Sequence, residues 1–325
     1  MPRLRWLLPS SGKGDEGGDR GRRGGFVHSV LFYGGPEEYL AGVVPFIGDG
    51  LSAGEPVAVA VPAPNLRLLG AELGKAAEQV RFVDMFQAGR NPGRIIPDVL
   101  GAFADTHPTG RVRIVGEPVW PSRSAMEYPA CAQHEALVNL AFTGRAAAML
   151  CPYDAAGLDG AVLADAAATH PVVVDGDGWR ASVDYAPDRI VAAYNQPLPD
   201  PPDAAATLTV TGELLDEARS FTAAHARQLG LTGERVEDAV LVVAELAANS
   251  VAHGGGAGTM HIWGEHDCFV CQVRDAGHIR DPLAGRRPAD PLQAGGRGLL
   301  LVNRLADLVR THTTDNGTTI RVYLR

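Results

Sequence analysis

Between Phe26 and about Tyr194, short apolar runs alternate with longer stretches whose apolar residues recur at helical spacing. The apolar runs are VHSVLFY, PVAVAVP, VRFVDM, RVRIVGE, AAAMLCPY and PVVVD. The stretches between them are PEEYLAGVVPFIGDGLSAG, PNLRLLGAELGKAAEQ, GRIIPDVLGAFADTH, PACAQHEALVNLAFTG and LDGAVLADAAATH. Apolar strands joined by helices of this length are typical of βαβ units. We therefore predict an α/β domain built on a parallel sheet.

From about Thr207 onward the pattern changes, with two helices preceding most of the strands. The first helix is predicted to end near Gly230, and its apolar stripe is Leu214, Ala218, Phe221, His225 and Leu229. A second helix is predicted to follow Thr232, a good N-cap residue, and to run through VEDAVLVVAELAANSVAH. The alternating segments TMHIWG and CFVCQVRD predict a hairpin, and GTTIRVYL predicts a closing strand.

Two stretches of unusual composition divide the chain. Residues 1–25 are rich in Gly and charge and contain almost nothing to bury, so we expect a disordered arm. Residues 195–206 contain NQPLPDPPDAA, which predicts a stiff linker rather than a packed element. The expected domains are therefore residues 26–194 and 207–325.

Composition and charge narrow the classes of function. The chain has 325 residues, 46% hydrophobic residues and a net charge of −9, with no basic stripe, which argues against direct nucleic-acid binding. No apolar run approaches the roughly 20 residues that span a bilayer. The apolar start Leu4–Leu8 is interrupted by Arg5 and is too short for a signal-peptide core. We expect a soluble, cytoplasmic protein without a membrane partner.

The four cysteines do not indicate a disulfide scaffold in a chain of this length. Cys268 and Cys271 form a CxxC within CFVCQV, which reads as a strand. Residues three apart on a strand point to opposite faces, so these two thiols are not expected to bind one metal ion.

In the first domain, ligands are expected at the carboxyl ends of the parallel strands. The first strand leads into Tyr33 and GGPEE, which lacks the lysine of a phosphate-binding P-loop and argues against nucleotide hydrolysis here. Candidates for a small-molecule pocket are His28, Tyr33, Glu117, Trp120, His134, Glu135, Cys151 and Tyr153. On spacing alone, roles in packing, capping and turns are favoured over a common pocket.

A resemblance favours the pocket. The strings HSVLFYGGPEEYLAGVVPFIGDGLSAGEPVAVAVP, GEPVWP, HEALVNLAF, LCPYDAAGL and DAAATHP resemble the MEDS sensory domain of bacterial regulators over about residues 26–174. That resemblance implies a RecA/KaiC-like parallel-sheet fold without a phosphate loop. It also implies a sensor of an unknown, small organic signal and no catalytic reaction.

The second predicted helix of the C-terminal domain carries the most informative polar residues. Glu245 and Asn249 are four residues apart and therefore share one helix face, opposite the apolar stripe. His253 lies in the last turn, where it also complements the helix dipole. Taken alone, this pattern also fits a solvated helix face.

Three later segments add to that pattern. The second hairpin strand ends at Asp275, followed two residues later by Gly277. GGRGLLLV is a glycine turn that opens an amphipathic helix, and backbone N–H groups at such a start can bind phosphate. GTT begins the closing strand. Each signal is weak alone, whereas their fixed order is specific.

Together, ELAANSVAHG, DAG, GRGLL and GTT resemble the GHKL ATP-binding fold, and within it the anti-sigma-factor serine kinases. The resemblance covers residues 208–325 and implies a Bergerat-type α/β sandwich that binds ATP and Mg²⁺. It implies that Glu245 is the general base and Asn249 the magnesium ligand. Residues implied at the nucleotide are His253, Asp275, Gly277, Gly296, Arg297, Gly298, Leu299 and Thr319, with Asp275 accepting from the adenine amino group.

The sequence departs from this family at two places. A fuller DxGxG motif has glycine where this chain has Ile279. The lid between Asp281 and Ala294 is short and rich in proline. Both departures bear on the rate of phosphotransfer more than on ATP binding.

Three functions remain open at this point. The first is a signal-responsive anti-sigma factor that binds a sigma factor or phosphorylates Ser/Thr of a STAS-type anti-anti-sigma protein. The second is a non-catalytic ATP-binding sensor that acts by partner binding. The third is a sensor histidine kinase, which is disfavoured because a short linker and one helix precede the ATPase and His225 lacks acidic neighbours. The kinase resemblance also implies a homodimer.

Overall fold

A computed structural model describes residues 25–175, 178–288 and 296–325, so most of the predicted disordered arm lies outside the described residues. The chain forms two compact units. The first comprises Met1–Gly89 and Asp98–Ile190, and the second comprises Arg90–Pro97 and Val191–Arg325. None of the helices in the described part combines the length and the apolar character that crossing a bilayer requires.

Strands and helices alternate along the first part of the chain. The strands are β1 (Val27–Tyr33), β2 (Val57–Val61), β3 (Val80–Asp84), β4 (Val112–Gly116), β5 (Ala147–Asp154), β6 (Val172–Asp175) and β7 (Gly178–Ala181). The helices are α1 (Pro36–Ser52), α2 (Ala63–Leu73), α3 (Met85–Ala88), α4 (Ala102–Asp105), α5 (Tyr128–Ala141), α6 (Gly160–Thr169) and α7 (Pro187–Ala193). All six predicted strands are present as β1 to β6.

The sheet of the first unit has the order β3-β2-β4-β5-β1-β6-β7. Every neighbouring pair is parallel except β6 and β7, which pair antiparallel. The predicted parallel α/β sheet is confirmed, and the antiparallel edge strand is an addition. β7 has the sequence GWRA, and all of its residues are half-buried or exposed. It therefore lacks the apolar run from which a strand is predicted.

One predicted helix of the first part is irregular. The stretch from Pro92 to Asp105 forms a 3₁₀ turn at Pro92–Arg94, a π-helical turn at Ile96–Gly101 and then α4. Two prolines and two glycines lie within it, and proline removes a backbone donor while glycine weakens a helix. A single regular helix is therefore not formed here.

In the described part of the second unit, an antiparallel sheet packs against a set of helices. Its elements are β8 (Ala206–Thr211), α8 (Leu215–Gln228), α9 (Glu234–His253), β9 (Ala257–Glu265), β10 (Cys268–Asp275), α10 (Gly298–Leu305), β11 (Leu308–Thr314) and β12 (Gly317–Leu324). The strand order is β11-β12-β10-β9-β8. Apolar residues of α8, α9 and α10 share one core with the sheet. The predicted α/β sandwich is confirmed.

Turn residues fix the ends of these elements. His266 and Asp267 both have positive φ, 49° and 59°, which suits the tight two-residue turn of the predicted β9–β10 hairpin. Gly230 ends α8 with φ 93°, as predicted. The predicted N-cap Thr232 is wrong by one residue, because α9 begins at Glu234 with Gly233 as its N-cap.

The predicted linker is partly packed, which corrects the expectation that it forms no packed element. The Asn195 side chain donates to the Thr313 carbonyl at 2.8 Å and accepts from the Thr313 N–H at 3.0 Å. Arg321 donates to the carbonyl of Pro199. Since β11 is an edge strand with free backbone groups, an amide side chain pairs with it as a strand would.

Candidate functional site

Helix α9 presents two polar residues to the start of α10. Glu245 and Asn249 share a face and are half-buried, and the next residue, Ser250, is fully buried. The opposite side of α9 carries apolar residues of the core, including Val243 and Ala247. The helical period of the sequence therefore places a carboxylate and a carboxamide side by side next to the core.

The start of α10 approaches that pair closely. A Cβ added to Gly298 would lie 2.5 Å from Glu245 Oε2 and 3.4 Å from Asn249 Nδ2. Glycine at this position therefore lets the backbone of α10 come up against the carboxylate. Asn249 Nδ2 is buried and has no hydrogen-bond partner among the residues that the structure describes. A buried amide in this state is suited to a ligand, because an unsatisfied polar group is costly.

Asp275 lies at the end of β10 and is held by two donors. Its Oδ2 accepts from the Ser250 hydroxyl at 2.6 Å, and its Oδ1 accepts from the Gly277 N–H at 2.8 Å. The backbone is crowded here, since a Cβ on Gly277 would lie 2.5 Å from the His253 carbonyl oxygen. The carboxylate is thus fixed in place and keeps lone pairs free for a further donor.

The closing strand contributes Thr318 rather than Thr319. The Thr318 hydroxyl donates to the Gly277 carbonyl at 2.8 Å and shares a 2.7 Å hydrogen bond with the Thr313 hydroxyl. Side chains alternate along a strand, and Ile320 faces the core from the same side as Thr318. Thr319 therefore points to the opposite face, on which Arg321 bonds Gln272. Thr318 is thus the threonine that contacts the Gly277 turn, and a role of Thr319 at the nucleotide stays a prediction.

The remaining predicted residues lie around the start of α10 and the end of α9. Gly296 has a φ of 81°, which favours glycine, and Arg297 is the N-cap, without a side-chain cap hydrogen bond. Arg297 is exposed, Leu299 packs partly against the core, and the side chain of His253 is exposed. The first N–H groups of α10 are thus available to an anion.

The residue that departs from the glycine motif has a structural role. The N–H of Ile279 donates to the Thr313 hydroxyl at 2.9 Å, and its side chain packs against the core. Residues 289–294 of the predicted lid lie outside the described residues. Nearer to α10, the side chain of Asn303 donates to the Gly285 and Leu299 carbonyl groups at 3.0 and 3.1 Å.

Sequence reasoning missed Ser250, Thr313 and Thr318. Ser250 directly follows Asn249. The one feature of the sequence that could have indicated a role for it is a hydroxyl group on the side of the helix predicted to be buried. Thr318 differs from the predicted Thr319 by one position, and only the strand register separates them. The arrangement as a whole fits a magnesium-bound nucleotide. Asp275 can accept a hydrogen bond from an amino group, Asn249 has an amide nitrogen without a partner among the described residues, Glu245 supplies a carboxylate, and the start of α10 has no side-chain cap.

In the first unit, the turn where a P-loop would stand is occupied by a side chain. The N–H of Gly34, which precedes α1, donates to Oε2 of Glu38 in the first turn of that helix at 2.6 Å. A carboxylate bonded to this amide competes with a phosphate for the same donor. This geometry agrees with the absence of a P-loop lysine in the sequence.

Three of the predicted sensory residues meet in one buried group. His28 of β1, Glu135 of α5 and Cys151 of β5 are joined there by His170, which follows α6 and was not predicted. Burial raises the pKa of Glu135 to about 7 and lowers the pKa of His170 to about 4. Burial, followed by the neighbouring His170, lowers the pKa of His28 to about 3. The pKa of the Cys151 thiol is raised, chiefly by burial.

Two further candidates form a separate group. The Tyr33 hydroxyl donates to Glu117 Oε1 at 3.5 Å, and Asn65 Nδ2 donates to Glu117 Oε2 at 2.8 Å. Burial raises the pKa of Glu117 to about 8 and also raises the pKa of Tyr33. Asn65 was not predicted.

The other predicted sensory residues are placed elsewhere. Trp120 stacks under Arg123, whose guanidinium carbon lies 3.8 Å from the ring centroid. Tyr153 lies edge-on to His170 at 5.9 Å. His134 Nε2 lies 3.9 Å from Glu135 Oε1. A common pocket lined by the eight candidates therefore stays a prediction.

Two family models match the chain. The methanogen/methylotroph, DcmR sensory domain (MEDS) matches residues 27–171, and the histidine kinase-like ATPase domain matches residues 208–324. The sensory resemblance and the ATPase resemblance are thus both confirmed.

Two individual proteins are similar to parts of this chain. The serine-protein kinase RsbW of Halalkalibacterium halodurans is 32% identical over 117 residues, which cover 32% of this chain and 71% of that protein. A crystal structure of the RsbU and RsbW domains of a Mycobacterium tuberculosis protein aligns with a TM-score of 0.28 and 18% identity, covering 37% of this chain and 32% of that chain. Through its C-terminal part, the chain belongs to the family of the serine-protein kinase RsbW.

Proposed function

We propose that the chain is a cytoplasmic, signal-responsive anti-sigma regulator whose C-terminal unit binds ATP and phosphorylates a serine or threonine of a STAS-type anti-anti-sigma protein. The observation that carries this proposal is the convergence of Glu245, Asn249 and the start of α10 at Gly298. Binding alone requires no carboxylate next to the phosphate end of the site, whereas phosphotransfer requires a base.

Residues of the second unit are assigned here to the adenine, to the phosphates and to the magnesium ion. Asp275 would accept a hydrogen bond from the adenine amino group, and Thr318 holds the Gly277 turn in place. The N–H groups at the start of α10 would bind phosphate oxygens. The Oδ1 atom of Asn249 would ligate Mg²⁺, and its unpartnered Nδ2 would donate to a phosphate oxygen. When bound, the ion would neutralise charge on the phosphates.

Glu245 is the residue placed for the proton transfer. Its carboxylate would accept the proton that a Ser or Thr hydroxyl of the partner gives up as that oxygen is phosphorylated. It lies beside Asn249 on the same helix face, so the base and the ligand of the metal ion are fixed by one rigid element.

A non-catalytic ATP-binding sensor is the second candidate, and Ile279 favours it. The N–H of Ile279 is bonded to Thr313, so the motif has less freedom than a glycine would give it. A sensor histidine kinase is disfavoured by His225, whose Nδ1 is bonded to the carbonyl of Phe221 in its own helix at 2.8 Å. Both as a kinase and as a non-catalytic sensor, the chain would detect a small-molecule signal through its first unit and would bind a sigma factor. The kinase would in addition have the STAS-type protein as its substrate.

The first test is ATP binding by titration calorimetry with Mg²⁺ on the full chain. We expect Asn249→Ala to abolish the magnesium-dependent part of the affinity. Glu237→Gln, on the exposed first turn of α9, is the matched control and should bind as the wild type does. If the wild type binds no ATP, the proposal is wrong.

The second test separates kinase from non-catalytic sensor. Candidate STAS-domain proteins are incubated with radiolabelled ATP and the full chain, and Glu245→Gln is compared with the wild type. Acid-stable phosphate on the partner, lost in Glu245→Gln while ATP affinity persists, supports the kinase. Unchanged regulation by Glu245→Gln supports the non-catalytic sensor, and acid-labile phosphate on this chain supports the histidine kinase.

A further inference from the structure

Four side chains that can ligate a metal ion meet between the sheet of the first unit and its helices α5 and α6. They are His28, Glu135, Cys151 and His170, and one ligand atom from each lies within 4.8 Å of all the others. All four side chains are 0–2% exposed. Four different elements or their ends supply them, so distant parts of the chain converge on this group.

The distances within this group match a coordination sphere. His28 Nε2 lies 3.3 Å from Cys151 Sγ and 3.6 Å from Glu135 Oε2, and His170 Nε2 lies 2.9 Å from the same oxygen. Neighbouring ligands of a tetrahedral zinc ion are about 3.3–3.6 Å apart, given bond lengths of about 2.0 Å to nitrogen or oxygen and 2.3 Å to sulfur. Two of these three separations lie within this range, and the third, between His170 Nε2 and Glu135 Oε2, is shorter at 2.9 Å.

Hydrogen bonds on the far side of each imidazole aim its other nitrogen at the group. His170 Nδ1 lies 2.7 Å from the Ala166 carbonyl oxygen. A carbonyl oxygen only accepts, so Nδ1 carries the proton and Nε2 presents a lone pair. A backbone carbonyl bonded to the distal nitrogen is the usual support of a metal-binding histidine.

His28 is oriented by Asn139 in the same way. Asn139 Nδ2 donates to the Thr169 and Ala136 carbonyl groups at 2.8 and 3.2 Å, which fixes the amide orientation. Its Oδ1 therefore faces His28 Nδ1 at 3.2 Å and accepts from it. The Nε2 atoms of both histidines consequently point a lone pair into the group.

Without a cation, these acceptors face one another. Glu135 Oε2 and His170 Nε2 are buried, and neither makes a hydrogen bond of acceptable geometry among the described residues. Two lone pairs of imidazole and a carboxylate in one buried space repel each other unless a positive charge or protons lie between them. The Cys151 thiol makes hydrogen bonds with His28 Nε2, at 3.3 Å, and with the Glu135 carboxyl group, but no donor among the described residues satisfies Glu135 Oε2 or His170 Nε2.

We propose that His28, Glu135, Cys151 and His170 bind one divalent metal ion, and that the ion is zinc. Two imidazoles, one thiolate and one carboxylate form the mixed nitrogen, sulfur and oxygen set that suits zinc in a tetrahedral site. Binding displaces the proton of the Cys151 thiol, and the sulfur–metal bond replaces the sulfur–hydrogen bond. The thiolate and the carboxylate then neutralise the two positive charges, so the buried site carries no net charge.

Four protein ligands without exposure make this a closed site of the structural kind. The ion would join β1 and β5 to α5 and to the end of α6. This site is separate from the nucleotide and does not depend on the proposed kinase activity. The competing explanation for the close approach of the four side chains is that no ion is bound and that protons of the Glu135 carboxyl group and the Cys151 thiol are shared among them.

The metal content of the full chain tests the proposal. The protein is dialysed against zinc and then against metal-free buffer, and its zinc is measured by inductively coupled plasma mass spectrometry. We expect one equivalent of zinc per chain, and a loss of at least about tenfold in zinc affinity in Cys151→Ser and His170→Gln. The matched controls, Cys271→Ala in β10 and His225→Gln in α8, should retain the full equivalent.

Cobalt replacement provides a measurement on the wild type, in case a ligand variant does not fold. Co²⁺ in this site should give visible bands of tetrahedral intensity and a thiolate-to-cobalt charge-transfer band in the near ultraviolet. Circular dichroism and ATP calorimetry monitor the folding of each variant. Absence of stoichiometric zinc together with absence of the thiolate band would overturn the proposal in favour of shared protons, as would a thiolate band that persists in folded Cys151→Ser.

Discussion

The Ser250 hydroxyl donates a 2.6 Å hydrogen bond to Asp275 Oδ2 and so ties the last turns of α9 to the end of β10. The other carboxylate oxygen accepts from the Gly277 N–H. The residue proposed to contact adenine is therefore positioned by the same helix that carries Glu245 and Asn249. Both ends of the proposed nucleotide site depend on the position of α9.

Replacing Ser250 tests this positioning. Ser250→Ala removes the hydroxyl and leaves one oxygen of the half-buried Asp275 carboxylate without its donor, and a hydrogen bond to a charged group is worth about 1.5–3 kcal/mol. We expect ATP affinity to fall by about tenfold or more, measured by titration calorimetry. Ser220→Ala on exposed α8 is the control, because Ser220 bonds only within its own helix. Equal affinities for the two variants would show that Ser250 does not position Asp275 for the ligand.

Thr318 and Thr319 form a natural pair of variants on opposite faces of β12. Thr318→Val keeps the shape but loses the bonds to the Gly277 carbonyl and the Thr313 hydroxyl. We expect a loss of ATP affinity of about three- to tenfold, since a neutral hydrogen bond is worth about 0.5–1.5 kcal/mol. Thr319→Val should bind ATP as the wild type does in the same calorimetric assay. The reverse order of effects would restore the original assignment to Thr319.

Local patterns in the sequence were sufficient for the architecture. The apolar runs predicted β1 to β6, and the alternation around His266 and Asp267 predicted the hairpin. These elements are set by the burial of nearby residues, which the sequence displays directly. The edge strand β7 was missed because half-exposed GWRA has no such signal.

The site was predicted less completely because it depends on register and on distant contacts. A shift of one residue turns a side chain to the other face of a strand, and the motif GTT alone does not distinguish Thr318 from Thr319. His170 was missed because it follows α6 and reaches His28 and Glu135 only through the fold. Glu245 and Asn249 are four residues apart on one helix, so their proximity could be predicted without knowledge of strand register or of distant contacts.

Gly298 offers a test of how closely α10 must approach Glu245. A Cβ at this position would lie 2.5 Å from Glu245 Oε2, so Gly298→Ala should turn the flexible carboxylate away. We expect phosphotransfer to a STAS-domain partner to fall at least about tenfold, with a smaller change in ATP affinity, because the displaced group is the base. Rates come from single-turnover assays and affinities from calorimetry.

The control for that substitution is Gly212→Ala. Its Cβ would lie 3.7 Å from Val251 Cγ1, an ordinary contact, and it is in the same unit. It should leave both the rate and the affinity unchanged. Should Gly298→Ala transfer phosphate within twofold of the wild type, the base would have to be sought elsewhere than at Glu245.

Glu117 should make the stability of the first unit depend on pH. Burial raises its pKa from 4.5 to about 8, so the folded state favours the protonated form. The contribution to stability is fully present below pH 4.5 and is lost as the pH rises through about 8. The slope from this one carboxyl group is at most about 1.4 kcal/mol per pH unit. The nearby Asp154 carboxylate also raises the pKa of Glu117, whereas the hydrogen bonds that Asn65 and Tyr33 donate to it lower that pKa.

Glu117→Gln removes this titration and should flatten the profile between pH 5 and pH 8, at about the acid-side stability of the wild type. Glu72→Gln, on the exposed surface of α2, should keep the wild-type slope. Differential scanning calorimetry of the full chain measures the effect, with the transition that ATP does not shift assigned to the first unit. A wild-type transition that stays constant from pH 5 to pH 8 would mean that the Glu117 carboxyl is already ionised when the protein is folded. Its bonds to Asn65 and Tyr33 would then outweigh the cost of burying the charge.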